Sequence, residues 1–272
     1  MMNKPSRREF LRVAAAAGPL AAIGMSARAQ GIEEGFVMGA QSYSFRKFDL
    51  AGSIQRLKEV GLDVMEFCAV HFPPDATDEG FAQVKALLAR EQVKVPSFGV
   101  EGFGGDAAAN RKKFEFAKAL GVEVLTADPA PEAFDNVEAL CEEFGVKIAI
   151  HNHGPGARYD KVADVLKAVA GRSPLIGACV DTGHYLRSSE KPHEAIEALG
   201  DRVIAVHLKD WIMGGEEQIL GKGDMDLVAT AKALKAIRFN GPAVMEYEES
   251  PDNPVPDMKE GWANWQAAWA QA

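Results

Sequence analysis

Arg202-Val-Ile-Ala-Val-His207-Leu-Lys209-Asp210-Trp211 is a run of apolar β-formers that ends abruptly in polar groups. Such a run reads as a parallel strand buried on both faces, whose carboxyl end delivers side chains into a site. Three other stretches share this grammar: Val146-Lys-Ile-Ala-Ile-His151-Asn-His153, Leu175-Ile-Gly-Ala-Cys-Val-Asp181-Thr-Gly-His184 and Pro242-Ala-Val-Met-Glu246-Tyr-Glu248. Consecutive strands that each end in a metal-ligand type of residue imply a fold that gathers one site from several strand ends.

Working outward, strand-like segments alternate with helical ones along the chain, and no linker or low-complexity tract divides them. The strands are expected at Val37 to Tyr43, Leu62 to Phe67, Lys94 to Val100, Val122 to Ala127, Val146 to His151, Leu175 to Asp181, Val203 to His207 and Pro242 to Tyr247. Helical periodicity falls between them, as at Leu50 to Val60, Asp78 to Glu91, Arg111 to Leu120, Pro131 to Phe144 and Lys161 to Ala170. Gly61, Gly121, Gly145, Gly171 and Gly241 stand where left-handed helix caps belong. Eight strands in about 243 residues match a single closed α/β barrel of the (β/α)₈ type, which typically needs ~250. A doubly wound open sheet would place a Gly-rich phosphate turn after the first strand, and Gln41-Ser-Tyr-Ser-Phe-Arg46 is not one. Gly221-Lys-Gly-Asp-Met-Asp226 does carry paired glycines, but it follows a loop, and Asp226 reads as a helix N-cap. Trp262, Trp265 and Trp269 form a one-face stripe expected to pack the last helix on the barrel.

A composition of 47% hydrophobic and 25% charged residues excludes disordered and fibrous classes. The first residues differ: Ser6-Arg-Arg-Glu-Phe-Leu11, a weakly apolar Ala-rich run and Ala27-Arg-Ala29 read as a twin-arginine export signal over residues 1–29. The expected address is therefore the periplasm, with the barrel occupying residues 30–272. Loss of that segment removes five Lys/Arg and one acid, leaving 25 basic and 38 acidic residues and a net charge of −13. So acidic a surface argues against nucleic acid and, once the signal is cleaved, against anionic membranes. Cys68, Cys141 and Cys179 are odd in number and lack CxxC spacing, so they read as small buried hydrophobes.

His151, Asp181, His207 and Glu246 end strands five to eight in succession. Two imidazoles and two carboxylates suit Mn²⁺, Fe²⁺, Co²⁺ or Zn²⁺, with Mg²⁺ also in range, better than Ca²⁺. A metal that polarises a carbonyl acidifies the adjacent C–H, which a nearby base removes. The base candidates are Lys209, His153, Glu66, Glu248 and Glu246 itself. Lys209 is expected on the same side as His207, desolvated and with a lowered pKa. Arg46, Tyr43, His71 and Phe103 lie on or after early strands, where they can shape a substrate pocket.

Asp181-Thr-Gly-His184, His207-Leu-Lys-Asp210, the Gly-Lys-Gly-Asp-Met-Asp stretch and Val-Met-Glu246-Tyr-Glu together resemble the xylose isomerase-like TIM barrels, over essentially the whole chain after the signal. The resemblance implies Asp181, His207 and Glu246 as metal ligands and His184 as a substrate contact. It departs at strand five, where many sugar epimerases of the family carry Glu and this chain has His151 in Ile-His-Asn-His-Gly. That pattern is similar to exported members that include lyases and hydratases of 3-keto sugars. The function expected is a metal-dependent sugar isomerase or epimerase working through an enediolate. The alternatives are a lyase acting on 3-keto-glycosides and a sugar-binding barrel without turnover. The expected partners are a small carbohydrate and, between copies of the chain, a homo-oligomer.

Overall fold

The structure, a computed structural model, describes residues 32–33, 36–75 and 77–272. The export signal and the boundary at residue 30 lie outside the described residues. The barrel strands are β1 (Phe36–Gln41), β2 (Met65–Glu66), β3 (Ser97–Phe103), β4 (Val124–Pro129), β5 (Lys147–His151), β6 (Ile176–Asp181), β7 (Val203–Leu208) and β8 (Pro242–Met245). The helices are α1 (Leu50–Val60), α2 (Asp78–Glu91), α3 (Ala107–Leu120), α4 (Phe134–Phe144), α5 (Val162–Val169), α6 (Thr182–Arg187), α7 (Pro192–Leu199), α8 (Leu227–Ala236) and α9 (Val255–Gln271). α6 is an extra turn of helix at the top of β6.

Parallel pairing runs from β3 through β8, then to β1 and on to β2. Single bridges, Val64 to Lys94 and Phe67 to Phe98, bring β2 round to β3 and nearly close the ring. The α/β barrel read from the alternating pattern is therefore the fold. Register does the rest: Asp181 pairs with His207, which in turn pairs with Val244, and His151 pairs with Cys179. One turn of the barrel thus carries the polar ends of β5 to β8 to a common height.

Most boundaries moved by a few residues, and two local readings change. The third strand begins at Ser97 and runs to Phe103, rather than Lys94 to Val100, because Pro96 offers no N–H to a ladder. Gly241 is not a left-handed cap. Arg238, at φ 52°, turns the chain after α8, and Gly241 is needed because a Cβ there would lie 2.0 Å from the carbonyl oxygen of Ile204. Gly61, Gly121, Gly145 and Gly171 do take positive φ.

Asp226 caps α8 by accepting from the Ala229 N–H. Trp262, Trp265 and Trp269 are buried in the core, as the stripe predicts, and all three cysteines are free and buried. Asp210 explains the paired glycines. Its buried carboxylate accepts backbone N–H bonds from Trp211, Gly221, Gly223 and Met225, so the glycine-rich stretch wraps one acid rather than a phosphate. No helix among the described residues is long and apolar enough to cross a membrane.

Candidate metal and catalytic site

His151, Asp181, His207 and Glu246 each present one donor atom at the carboxyl mouth of the barrel, all within 4.8 Å of one another and all buried. His207 Nδ1 lies 3.1 Å from both His151 Nε2 and Glu246 Oε2. Asp181 Oδ2 lies 3.3 Å from His151 Nε2 yet accepts no hydrogen bond among the described residues. The other oxygen, Oδ1, accepts the His184 N–H at 2.7 Å and caps α6, so local folding aims Oδ2 inward. Asn152 holds the same corner, accepting from the Asp181 N–H and donating to its carbonyl.

Whether a cation fits can be judged from proton bookkeeping. His207 Nε2 lies 3.0 Å from Glu66 Oε1. Its proton therefore belongs on Nε2, and a neutral His207 turns a lone pair at Nδ1 toward Glu246 and His151. Four converging acceptor-rich atoms, one of them a buried and unpartnered carboxylate oxygen, fit a divalent ion of the mixed N/O type.

Without a cation, charge sets the protonation. Burial alone would lower the pKa of His207, but Cys179, Glu66 and Glu246 raise it well above the usual imidazole range. Burial likewise opposes ionisation of Asp181 and Glu246. Even so, His184, Lys209 and His151 keep Asp181 well below the ordinary carboxylate range, and Lys209 and His207 do the same for Glu246.

Glu66 is wholly buried, and it is not at the mouth. Its carboxylate accepts from Gln41 Nε2, Ser97 Oγ and Thr126 Oγ1 at 2.6 to 2.8 Å, besides contacting His207. It orients a ligand from below and does not face substrate. Neither Arg46 nor Lys209 is its partner.

Lys209 reverses expectation. Its ammonium lies 2.6 Å from Glu248, 3.4 Å from Glu246 and 3.9 Å from Asp181. Burial alone would lower its pKa, but Glu246, Asp181, Glu248 and Glu217 together raise it above the normal lysine range. It is a fixed cation that balances the site, not a base, and Asp210 is not its partner.

His153 and His184 stand on the open side, their rings 5.5 Å apart, and His153 lies 4.6 Å from His151. Burial and His151 lower the pKa of His153. Burial is also the main cause holding His184 down at about 4. Arg187 Nη1 lies 3.0 Å from His184 Nδ1. An arginine can only donate, so Nδ1 accepts and the ring's proton sits on Nε2, the nitrogen facing Asp181 Oδ2 at 4.0 Å.

A stability consequence follows for the metal-free protein. The unfolded chain protonates this imidazole near pH 6.5 and the folded one only near 4, so the unfolded state binds more protons in that window. The contribution of His184 to stability therefore falls as pH drops from about 6.5 to about 4, by about 3 kcal/mol. The raised pKa of His207 has the opposite sign but acts above its unfolded value, outside this window, whereas Glu217, pushed up by burial to about 8, gains stability as pH falls toward its unfolded value and opposes His184 inside it. The urea midpoint of chelated wild type measured against that of His184→Gln isolates this contribution, and the difference should fall as pH drops through the range.

The early-strand residues divide. Tyr43 lines a cavity of about 270 Å³ beside Glu246, together with Gln41, Cys68, Val70 and Val100. Arg46 stacks on Tyr43 and donates to the carbonyls of Tyr43 and Glu248. His71 is turned away, held by Ser53 Oγ at 2.8 Å and the Phe48 carbonyl at 3.2 Å, and it pins α1. Phe103 is buried edge-on against Phe114 under α3. Gln41, Asn152, Arg187 and Glu217 went unread in the sequence. Of these only Arg187 carried a signal, standing three residues after His184 on one helical turn.

A profile of the xylose isomerase-like TIM barrel family matches residues 54–270. Over 91% of this chain and 88% of the relative, it is 25% identical to a 3-oxo-isoapionate decarboxylase of Pectobacterium atrosepticum. An inosose dehydratase of Lactiplantibacillus plantarum is 28% identical, but over only 47% of this chain and 49% of that protein. Among solved structures, the IolI protein with a bound zinc atom superposes with a TM-score of 0.73, at 15% identity over 86% of this chain and 98% of that one; this is a likeness of fold.

Proposed function

Because the chain belongs to the xylose isomerase-like TIM barrel family, we propose that it is a divalent-metal-dependent enzyme that moves a proton on a carbon next to the carbonyl of a small carbohydrate, in the manner of a sugar isomerase or epimerase. The observation that carries this reading is the convergence of four buried donor atoms from four consecutive strand ends, beside two imidazoles held neutral. His151 Nε2, Asp181 Oδ2, His207 Nδ1 and Glu246 Oε2 would hold the ion. Bound there, it supplies the Lewis acidity that stabilises the oxyanion formed when the α-proton leaves.

The chain's own groups supply the rest. Among the described residues the His153 ring has no hydrogen-bond partner, and it is the group that takes the proton. His184 offers its Nε2–H to a substrate oxygen, in a tautomer fixed by Arg187. Lys209 keeps the carboxylates ionised. Glu246 Oε2 would serve as a ligand, and Tyr43 and Gln41 wall the cavity that would take the remainder of the sugar. Relatives named for decarboxylation and dehydration support a centre that stabilises such an anion, since loss of CO₂ from a carbon next to a carbonyl generates an enolate, and elimination of water proceeds through one formed by removal of the α-proton.

The test is exchange of a substrate C–H with solvent deuterium, across free ketoses and 3-keto-glycosides, in metal-loaded protein. Exchange should occur, stop on chelation, and fall about 10²- to 10⁴-fold in His153→Gln. Absence of exchange from every compound in the loaded protein would sink the reading.

A further inference from the structure

The loop after β5, His151-Asn-His-Gly154, is only half explained by its two histidines. Gly154 lies against Arg187: a Cβ at that position would fall 2.8 Å from the guanidinium carbon and 3.0 Å from Nε and Nη1. On another side the guanidinium sits 4.8 Å from the centre of the Trp211 ring, and Nη1 is spent on His184 Nδ1. Arg187 is nevertheless exposed. Among the described residues no carboxylate lies within 4.0 Å of it, although Arg111 and Arg158 each have one and Arg172 has two.

A flexible surface arginine needs no such seat. This one is stacked, backed by a glycine and tied to a site imidazole, and among the described residues its Nε and Nη2 donors have no partner. A planar two-donor edge matches a carboxylate bidentately. At the centre Lys209 is committed to Asp181, Glu246 and Glu248, and a bound ion would be committed to its four ligands and the carbonyl. An anionic substituent on the substrate therefore requires a cation of its own, away from those acids.

We propose that Arg187 is a specificity-determining residue that binds a carboxylate of the substrate, making the preferred substrate a keto-sugar acid. The proposal rests on the carbohydrate reading above but is read by binding, so it can stand or fall without turnover. The seat explains three neighbours together: Gly154 makes room, Trp211 fixes the plane, and His184 sets the distance between the anion and the reacting carbonyl.

The experiment is calorimetric binding to Zn²⁺-loaded protein of D-fructose, D-fructuronate and fructose 6-phosphate, which differ only at the last carbon. Wild type should bind the uronate about ten- to a hundredfold more tightly than the neutral sugar, as expected of a charge-assisted pair. Arg187→Gln should abolish that ratio, and Arg187→Lys, which keeps the charge without the fork, should give an intermediate one. Using the ratio removes any loss that both sugars suffer from a loosened His184. Equal binding of uronate and fructose by wild type, no binding of either, a ratio that survives Arg187→Gln, or a preference for the phosphate would each overturn the proposal. Tight uronate binding without deuterium exchange would leave it standing and remove the proposed reaction instead.

Discussion

Asp181→Asn lowers the affinity for a divalent metal by at least about a hundredfold, since even residues that only orient a ligand are worth 10- to 100-fold. The substitution is chosen because it separates the two jobs of the carboxylate. An amide oxygen can still accept the His184 N–H that Oδ1 now accepts, so the start of α6 persists. The other position becomes an NH₂, which cannot ligate. Competition with a chromophoric chelator measures the loss, and deuterium exchange should fall in parallel. An affinity within about threefold of wild type would remove Asp181 from the ligand set, whatever the activity does. Metal uptake should also release a proton near neutral pH, because the raised pKa of His207 means that a cation must displace a proton there.

Glu66 gives the second large effect, and here stability and metal affinity divide. Glu66→Ala leaves Gln41, Ser97 and Thr126 donors without an acceptor and removes the counter-ion beneath His207. Loss of one member of a buried ion pair costs about 3–5 kcal/mol, so the denaturant midpoint should fall by that equivalent. Glu66→Gln keeps the volume and one acceptor oxygen. It should destabilise less, yet still weaken metal binding about 10- to 100-fold through the freed imidazole ring. Unchanged metal affinity in Glu66→Gln would show that packing, and not Glu66, orients His207.

The barrel was legible because its signal is repeated. Every strand is a short apolar run, and β5 and β6 end in His151 and Asp181, β7 carries His207 one residue before its end and β8 stops just before Glu246, so each run supports the next. The donor set was legible for the same reason. The failures have a common physical source: a strand end fixes a residue's height on the barrel, but not which way its side chain turns or what converges on it. Phe103 and His71 sit at mouth height and point under the helices. Glu66 points in but is sealed by three donors from β1, β3 and β4. Lys209 was expected desolvated, and it is. The sign of its shift depends on four acids from three separate segments, a sum that no local pattern contains.

The wrapping of Asp210 also governs how a sugar can enter. One buried carboxylate holds amides from residue 211 to residue 225, so the segment above β7 is ordered when the protein folds rather than when substrate arrives. A lid that closes on substrate gives up conformational freedom at each encounter; a segment already tied down has none of that freedom left to lose. On this side of the mouth the protein presents a rigid template, and selection among sugars falls to fit against a wall already in place.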